Sequence, residues 1–313
     1  MKKQKTVSIK AKLLGVIIPV VIAIVVVLVV AAYQISAGTI KKYSQNLLQS
    51  SVENQASQIE AWLNENLASF QMAKTIIEDL KPSDEELKTI LDGYYGYNSN
   101  YPEGLYVADS TGQLITASES TKKESDVTNS TWYKEGLTRV NMAVGSAYQN
   151  ADGVNVISAS GILNDGSDKV RVISADMTLD RIAIIVNSFI EMNDAEAFLV
   201  DKTSGVILAN RDSSLISQTL GAEGQSHFYQ LTAEKAAEKD YNFATLDGNM
   251  TVFQEVDGTN WLLISYIPTS IVLSDLTQLR NIMIVISVIC IALLCVLIER
   301  VTCLLYTSPS PRD

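Results

Sequence analysis

The chain has 313 residues, with 24 Lys and Arg against 35 Asp and Glu, a formal net charge of −11. Such an acidic chain offers no electrostatic footprint for a nucleic acid, and that partner class is excluded. The only cysteines, Cys290, Cys295 and Cys303, cluster near the C-terminal end, so no disulfide framework spans the rest and packing alone has to hold the fold.

Taken in chain order, Lys2, Lys3, Lys5, Lys10 and Lys12 precede an uncharged apolar run, Leu13 to Tyr33. Its length is about the 20 residues that a helix needs to cross the hydrocarbon core. It is longer than the apolar region of a signal peptide, so it reads as an uncleaved membrane helix, 13–33. The five lysines place residues 1–12 in the cytoplasm. A second uncharged run, Ile282 to Ile298, ends at Glu299 and Arg300 and returns the chain to the cytoplasm. Residues 34–280 are then extracellular, with 17 Lys and Arg against 33 Asp and Glu. Residues 299–313 begin a cytoplasmic part. The last eleven, CLLYTSPSPRD, follow no helix or strand pattern and look like the translation of a transposase-type sequencing adapter. Residues 303–313 are therefore expected not to be native, the alternative being a short polar tail.

From Ser36 to Leu80 apolar residues recur at intervals of mostly three, four and seven, including Ile59, Trp62, Leu63, Phe70 and Ile77. This predicts one long helix continuing from the membrane helix, able to pack on a sheet by one stripe and on a second copy by another. Lys81-Pro82-Ser83-Asp84 stops it and caps a short helix, Glu85 to Leu91. The pattern then shifts to period two, and a repeat emerges. GLYVADSTGQLITA, from Gly104, aligns with AFLVDKTSGVILA, from Ala197. Each reads as a β-hairpin whose Asp109 or Asp201 accepts backbone N–H groups in the turn, while Gly112 or Gly205 takes positive φ. Three more strands are predicted at Arg139–Gln149, Val154–Ile162 and Val170–Met177, turned at NADG and NDGSD, followed by a helix from Leu179 to Phe189. A second set follows at Phe243–Leu246, Asn249–Val256 and Trp261–Pro268. The spacing of the repeat marks two similar subdomains, a distal one at about 92–177 and a proximal one at about 194–268.

Catalysis finds little support. His227 is the only histidine, and no Cys lies in the outer segment to join it in a metal cluster. No nucleophile elbow or phosphate-cradling glycine loop occurs. The chain is expected to be no enzyme, with no metal and no cofactor. The triplets at Asn129 and Asn249 read as chance, and the Tyr-rich run Asp92 to Gly104 as a packed loop.

The whole layout of residues 1–302, the paired Asp-turn-Gly hairpins and the run TWYKEGL (Thr131 to Leu137) resemble a double Cache sensor domain. The opening SIKAKLLGVIIPVVI is similar to that of bacterial methyl-accepting chemotaxis receptors. The resemblance implies an α+β fold: a long N-terminal helix and two tandem PAS-like antiparallel sheets, flanked by two transmembrane helices. It implies a homodimeric chemoreceptor signalling to a cytoplasmic module. A sensor kinase or diguanylate cyclase with the same outer half, or a surface interaction protein, is the alternative.

The resemblance also implies a ligand site in the distal subdomain. In the amino-acid-binding members an Arg two residues before a Trp-Tyr pair holds the ligand carboxylate, and a Tyr-x-Asp and a later Asp hold its ammonium. Trp132 and Tyr133 match the pair, Tyr148 the tyrosine and Asp176 the last Asp. Ser130 stands in place of the Arg and Asn150 in place of the first Asp, so the bidentate grip on a carboxylate is lost. Lys122 or Lys123 is the available substitute, though no spacing places either. The expected ligand is a small polar molecule such as an amine or an amino-acid-like metabolite. Alternatives stand beside each role. Trp132 and Tyr133 can be packing, Asp176 an N-cap, Asn150 a turn residue, and either Tyr106 or Leu105 can face the pocket. The proximal subdomain has no such aromatic pair and is expected to be a structural relay.

Overall fold

The computed structural model describes residues 9–150, 153–188, 192 and 194–307. The chain divides into two compact units, Gln45–Pro268 and a second made of Met1–Ser44 with Thr269–Asp313.

In the second unit, the helix α1 (Ile9–Leu80) begins and the helices α6 (Thr269–Val272) and α7 (Ser274–Thr307) run through the last part of the chain. Both α1 and α7 carry segments long and apolar enough to cross a membrane, with mean hydropathies of 3.3 and 3.1 and no part of either segment buried. Val16, Val27, Val288 and Leu297 are all more than half exposed. Side chains that shun water yet find no protein cover need another apolar medium. Pro19 sits inside α1 without ending it. Helix α7 continues to Thr307, so residues 303–307 are helical where the sequence suggested no regular pattern. Residues 308–313 lie outside the described residues.

In the Gln45–Pro268 unit, α1 buries Ile59, Leu63, Phe70 and Ile77 of the helical stripe expected from their spacing, and also Leu48 and Val52, which precede them. It ends at Lys81, which has a φ of +48°. Helix α2 (Asp84–Asp92) then starts from a capping box, in which Ser83 Oγ accepts from the Glu86 N–H and the Glu86 carboxylate accepts from the Ser83 N–H. Two five-stranded antiparallel sheets follow. The first contains β1 (Leu105–Asp109), β2 (Leu114–Ile115), β3 (Ala143–Gln149), β4 (Asn155–Leu163) and β5 (Arg171–Thr178), in the order β2-β1-β5-β4-β3. Helix α3 (Thr131–Gly136) lies between β2 and β3 in sequence, and α4 (Asp180–Val186) follows β5. The second sheet contains β6 (Glu196–Asp201), β7 (Ile207–Asn210), β8 (Ala244–Leu246), β9 (Asn249–Val256) and β10 (Trp261–Pro268), with α5 (His227–Ala237) before β8. Its order, β7-β6-β10-β9-β8, repeats that of the first sheet strand for strand.

The two hairpins that carry the internal repeat are built alike. Asp109 Oδ1 accepts from the N–H groups of Thr111 and Gln113, and Asp201 Oδ1 from those of Thr203 and Ser204. Gly112 and Gly205 have φ of +86° and +72°. Other boundaries differ from the sequence reading. Strand β3 starts at Ala143 rather than Arg139, because Arg139 turns back: its guanidinium donates to the Ala143 carbonyl, and its carbonyl accepts from the Ile162 N–H. Helix α4 stops at Val186 rather than Phe189, and Phe189 itself lies outside the described residues, as do Ala151 and Asp152 of the NADG turn. His227 opens α5.

Helix α1 meets the two sheets at different heights. Glu60 accepts the N–H of Asp257 in the β9–β10 turn, whereas Gln71 accepts that of Met142 and Glu78 that of Asn164, both in the first sheet's subdomain. One helix thus serves as a common spine.

Candidate functional site

The first sheet turns one face to α3 and the loop between β2 and α3. Strand register puts Tyr106 opposite Ser174, and Asp176 opposite Ser158, on that face. Asp176 lies within β5, the central strand, so it is a strand residue and not an N-cap of α4, whose N-cap is Leu179. Tyr106 shares its face, which leaves Leu105 on the other side.

Asp176 is 7% exposed and engaged at both oxygens. Its Oδ1 accepts from the hydroxyls of Tyr106 at 2.5 Å, Tyr148 at 2.9 Å and Ser158 at 2.5 Å. Its Oδ2 accepts from Lys122 Nζ at 2.6 Å, and that ammonium also lies 4.2 Å from the centroid of the Tyr106 ring. Burial and the neighbouring Asp176 charge push both phenols well above the usual tyrosine range, so both remain O–H donors. Each is therefore able to donate its O–H to the shared carboxylate, and the Tyr148 hydroxyl also pairs with Ser158 Oγ at 2.8 Å.

Beside Asp176 lies a cavity of ≈ 380 Å³, lined by Glu103, Lys122, Lys123, Glu124, Ser125, Asn129, Ser130, Thr131, Tyr148, Gln149, Asn150 and Asp176. Its size suits a small metabolite. Of the residues singled out in the sequence, Ser130, Tyr148, Asn150 and Asp176 line it. Trp132, Tyr133 and Tyr106 do not. Trp132 is 0% exposed and stacks edge-on against Tyr106 at 4.9 Å, with Tyr133 beyond it at 5.7 Å, in one cluster with Ala108, Val127 and Val172. The pair falls on a helical turn, so both rings point down onto the sheet and stand behind the site's wall. Gly136, at the end of α3, permits this close seat, since a Cβ there would lie 2.4 Å from Val172 Cγ1. Ser130 is the N-cap residue of α3, yet its hydroxyl donates back to the Val127 carbonyl at 2.6 Å. Asn150 Oδ1 accepts from the Val154 N–H, the turn role, while the residue also edges the cavity.

Two residues that the sequence reading did not place prove central. Lys122 fills the space in front of Asp176. Glu124 accepts from Trp132 Nε1 at 2.8 Å, which ties the loop to the aromatic wall. Burial raises the Glu124 carboxyl above its ordinary value, opposed by the Trp132 N–H, the Lys122 ammonium and the Ser130 hydroxyl. Both belong to an irregular loop, TASESTKKESD, with no periodicity to aim any side chain.

The matching face of the second sheet is filled. Tyr266 of β10 takes the place of Asp176, as its partner Thr251 takes that of Ser158. Phe198, Phe228, Tyr229 and Tyr266 pack together there, and the Tyr266 hydroxyl donates to Glu196 at 2.5 Å.

Two sheets of identical strand order on a shared helix, with a polar cavity on the first, define a tandem α+β fold. A family model described as a Cache domain, in its double form, matches residues 32–276, and the chain belongs to that family. Among solved structures, the ligand-binding domain of the Pseudomonas fluorescens chemoreceptor CtaA in complex with L-isoleucine is 20% identical. It covers 76% of this chain and 98% of its own, with a TM-score of 0.60. The ligand-binding domain of Mlp24 with asparagine is 17% identical, covers 76% and 97%, and has a TM-score of 0.61. That of the Pseudomonas aeruginosa PAO1 chemoreceptor PctC in complex with GABA is 19% identical, covers 72% and 99%, and has a TM-score of 0.55. No curated protein matches the chain in sequence. At these identities the likeness shows the fold, and the fold is that of chemoreceptor sensor domains.

Proposed function

We propose that the chain is the sensory part of a transmembrane chemoreceptor and that the cavity beside Asp176 takes a small polar ligand of amino-acid-like size. The observation that carries this is the cavity itself: ≈ 380 Å³ beside a buried carboxylate held by three hydroxyls and an ammonium, with aromatic packing behind. Such a preorganised polar set fixes a ligand's orientation. In this reading residues 34–280 face outward between two membrane spans, and the output is carried by a cytoplasmic module. The protein works as a homodimer paired along α1, where Met72, Ile76 and Leu80 expose apolar side chains at intervals of four. The chain itself catalyses nothing; its relatives named above are ligand-binding domains of chemoreceptors.

The strand that carries Asp176 leads to a joint with α1. Three residues past Asp176 the chain leaves β5 for α4. The C-terminal carbonyls of α4, at Ile185 and Val186, and that of Ser188 are held by the Gln55 amide of α1. A ligand that binds two arrangements of this joint with different affinity shifts the balance between them. The filled aromatic face of the second sheet suits a relay that transmits without binding.

The test is a thermal-shift screen of the full chain in lipid nanodiscs against amino acids, amines, purines and small carboxylates. A ligand of the native state raises Tm with concentration. The expected result is at least one such hit, lost in Ser130→Tyr, which fills the cavity from its rim without touching the core. A hit that survives Ser130→Tyr would put the binding site elsewhere. No hit in the panel would turn the reading toward a protein partner.

A further inference from the structure

The carboxylate that would receive a ligand's ammonium already holds one. Asp176 Oδ1 accepts three hydroxyls, and Oδ2 accepts from Lys122 Nζ at 2.6 Å. A carboxylate oxygen has about two lone-pair positions, so Oδ1 is filled and Oδ2 keeps one beside its bond to Lys122. Lys122 is built into this place. Its side chain is 10% exposed, its ammonium rests on the face of Tyr106, and its backbone N–H donates to Ser120 Oγ. An incoming cation would either crowd a second ammonium onto Oδ2 beside Lys122 or displace Lys122 from a buried pair, and each leaves one carboxylate to neutralise two cations, which is costly. Lys122 itself lines the cavity, as do Lys123 and Ser130. An ammonium has three donors, and only one is spent on Asp176. The other acids at the rim are committed to donors of the chain, Glu103 to Ser120 and Thr121, and Glu124 to Trp132.

We infer that Lys122 is a specificity-determining residue. It serves as a tethered ammonium, and the pocket takes small carboxylates that lack an amino group, hydroxy acids or simple carboxylic acids of amino-acid size. This rests on the reading of the cavity as the ligand site and narrows it: the ligand's acid end is held, and its amino end is replaced by the protein's own.

The experiment is isothermal titration of the full chain in nanodiscs with two matched sets of probes. One set is L-lactate, L-alanine and ethylamine; the other is 2-hydroxy-4-methylpentanoate, L-leucine and isoamylamine. At least one hydroxy acid is expected to bind about tenfold or more tightly than its matched amino acid or amine, the discrimination that one charge-assisted hydrogen bond supplies. Lys122→Met should invert that order. Asp176→Asn, which frees Lys122 from its counter-ion, should tighten hydroxy-acid binding. Unliganded melting curves confirm that each variant folds, and Asp176→Asn carries the test if Lys122→Met does not. Preference of the wild type for the amino acid or amine, with binding abolished in Asp176→Asn, would overturn the inference and leave the pocket in place. So would equal binding of all classes unaffected by Lys122→Met. Failure of every probe on every variant would overturn the inference, and the pocket reading would stand if the thermal-shift panel still gives a hit lost in Ser130→Tyr.

Discussion

Asp109 and Asp201 occupy the same corner in the two sheets, but among the described residues only Asp109 carries an ammonium, Lys169 Nζ at 2.5 Å. Burial pushes the Asp109 carboxyl up. The Lys169 ammonium, the Thr111 hydroxyl and two backbone N–H groups outweigh this and hold it at about 2, below the ordinary value of 3.8. A depressed carboxyl stabilises the fold above its unfolded value and loses that contribution as pH falls through its folded one. Asp109→Asn should therefore lower stability at neutral pH by about 1–2 kcal/mol, discounted because Lys169 is partly exposed. The gap to wild type should close between about pH 4 and pH 2, as read by urea melts across that range. The role of Asp109 was legible because Asp, a polar turn and Gly recur at both hairpins. That of Trp132 was legible only as a choice between packing and pocket. The ring takes the packing side because α3 turns it onto Tyr106, while its N–H reaches Glu124.

Long elements announced themselves and short ones did not. The stripe from Ile59 to Ile77 is periodic enough to specify a helix, and the helix forms. Helix α3 has six residues, too few for a period to register, and depends on Gly136 fitting against Val172. Nothing local marks Gln55 as special, since it is one polar residue in a polar stretch. In the fold it is 2% exposed and its amide serves three carbonyls around the end of α4. Gln55→Leu leaves those carbonyls without that donor and should cost about 1–3 kcal/mol. Hydrogen exchange should show faster exchange in α4, while a ligand of the distal cavity still binds. Unchanged exchange in α4 would mean that this joint does not couple the helix to the strand that carries Asp176.

At the scale of the molecule, the two apolar helices and the acidic segment between them set a topology that labelling can check. Ser125 is exposed at the cavity. In intact cells a membrane-impermeant maleimide should label Ser125→Cys and spare the wild type, whose cysteines all fall in α7. Labelling of Ser125→Cys only after permeabilisation would invert the proposed orientation. The two sheets share a strand order but not a surface. The first keeps Asp176 where the second has Tyr266, and one carboxylate against one phenol separates a polar cavity from a filled aromatic core.

The sequence by itself determined what repeats or runs long: two apolar spans, a helical spine, and a duplicated set of hairpins and strands. These are written in periodicity and turn chemistry, which act between residues close in the chain. The tertiary structure alone decided what occupies the site. Lys122 and Asp176 lie 54 positions apart, and Tyr106 and Asp176 70. No local pattern encodes a contact made only when an irregular loop folds over a sheet, where burial turns a distant lysine and a strand carboxylate into partners.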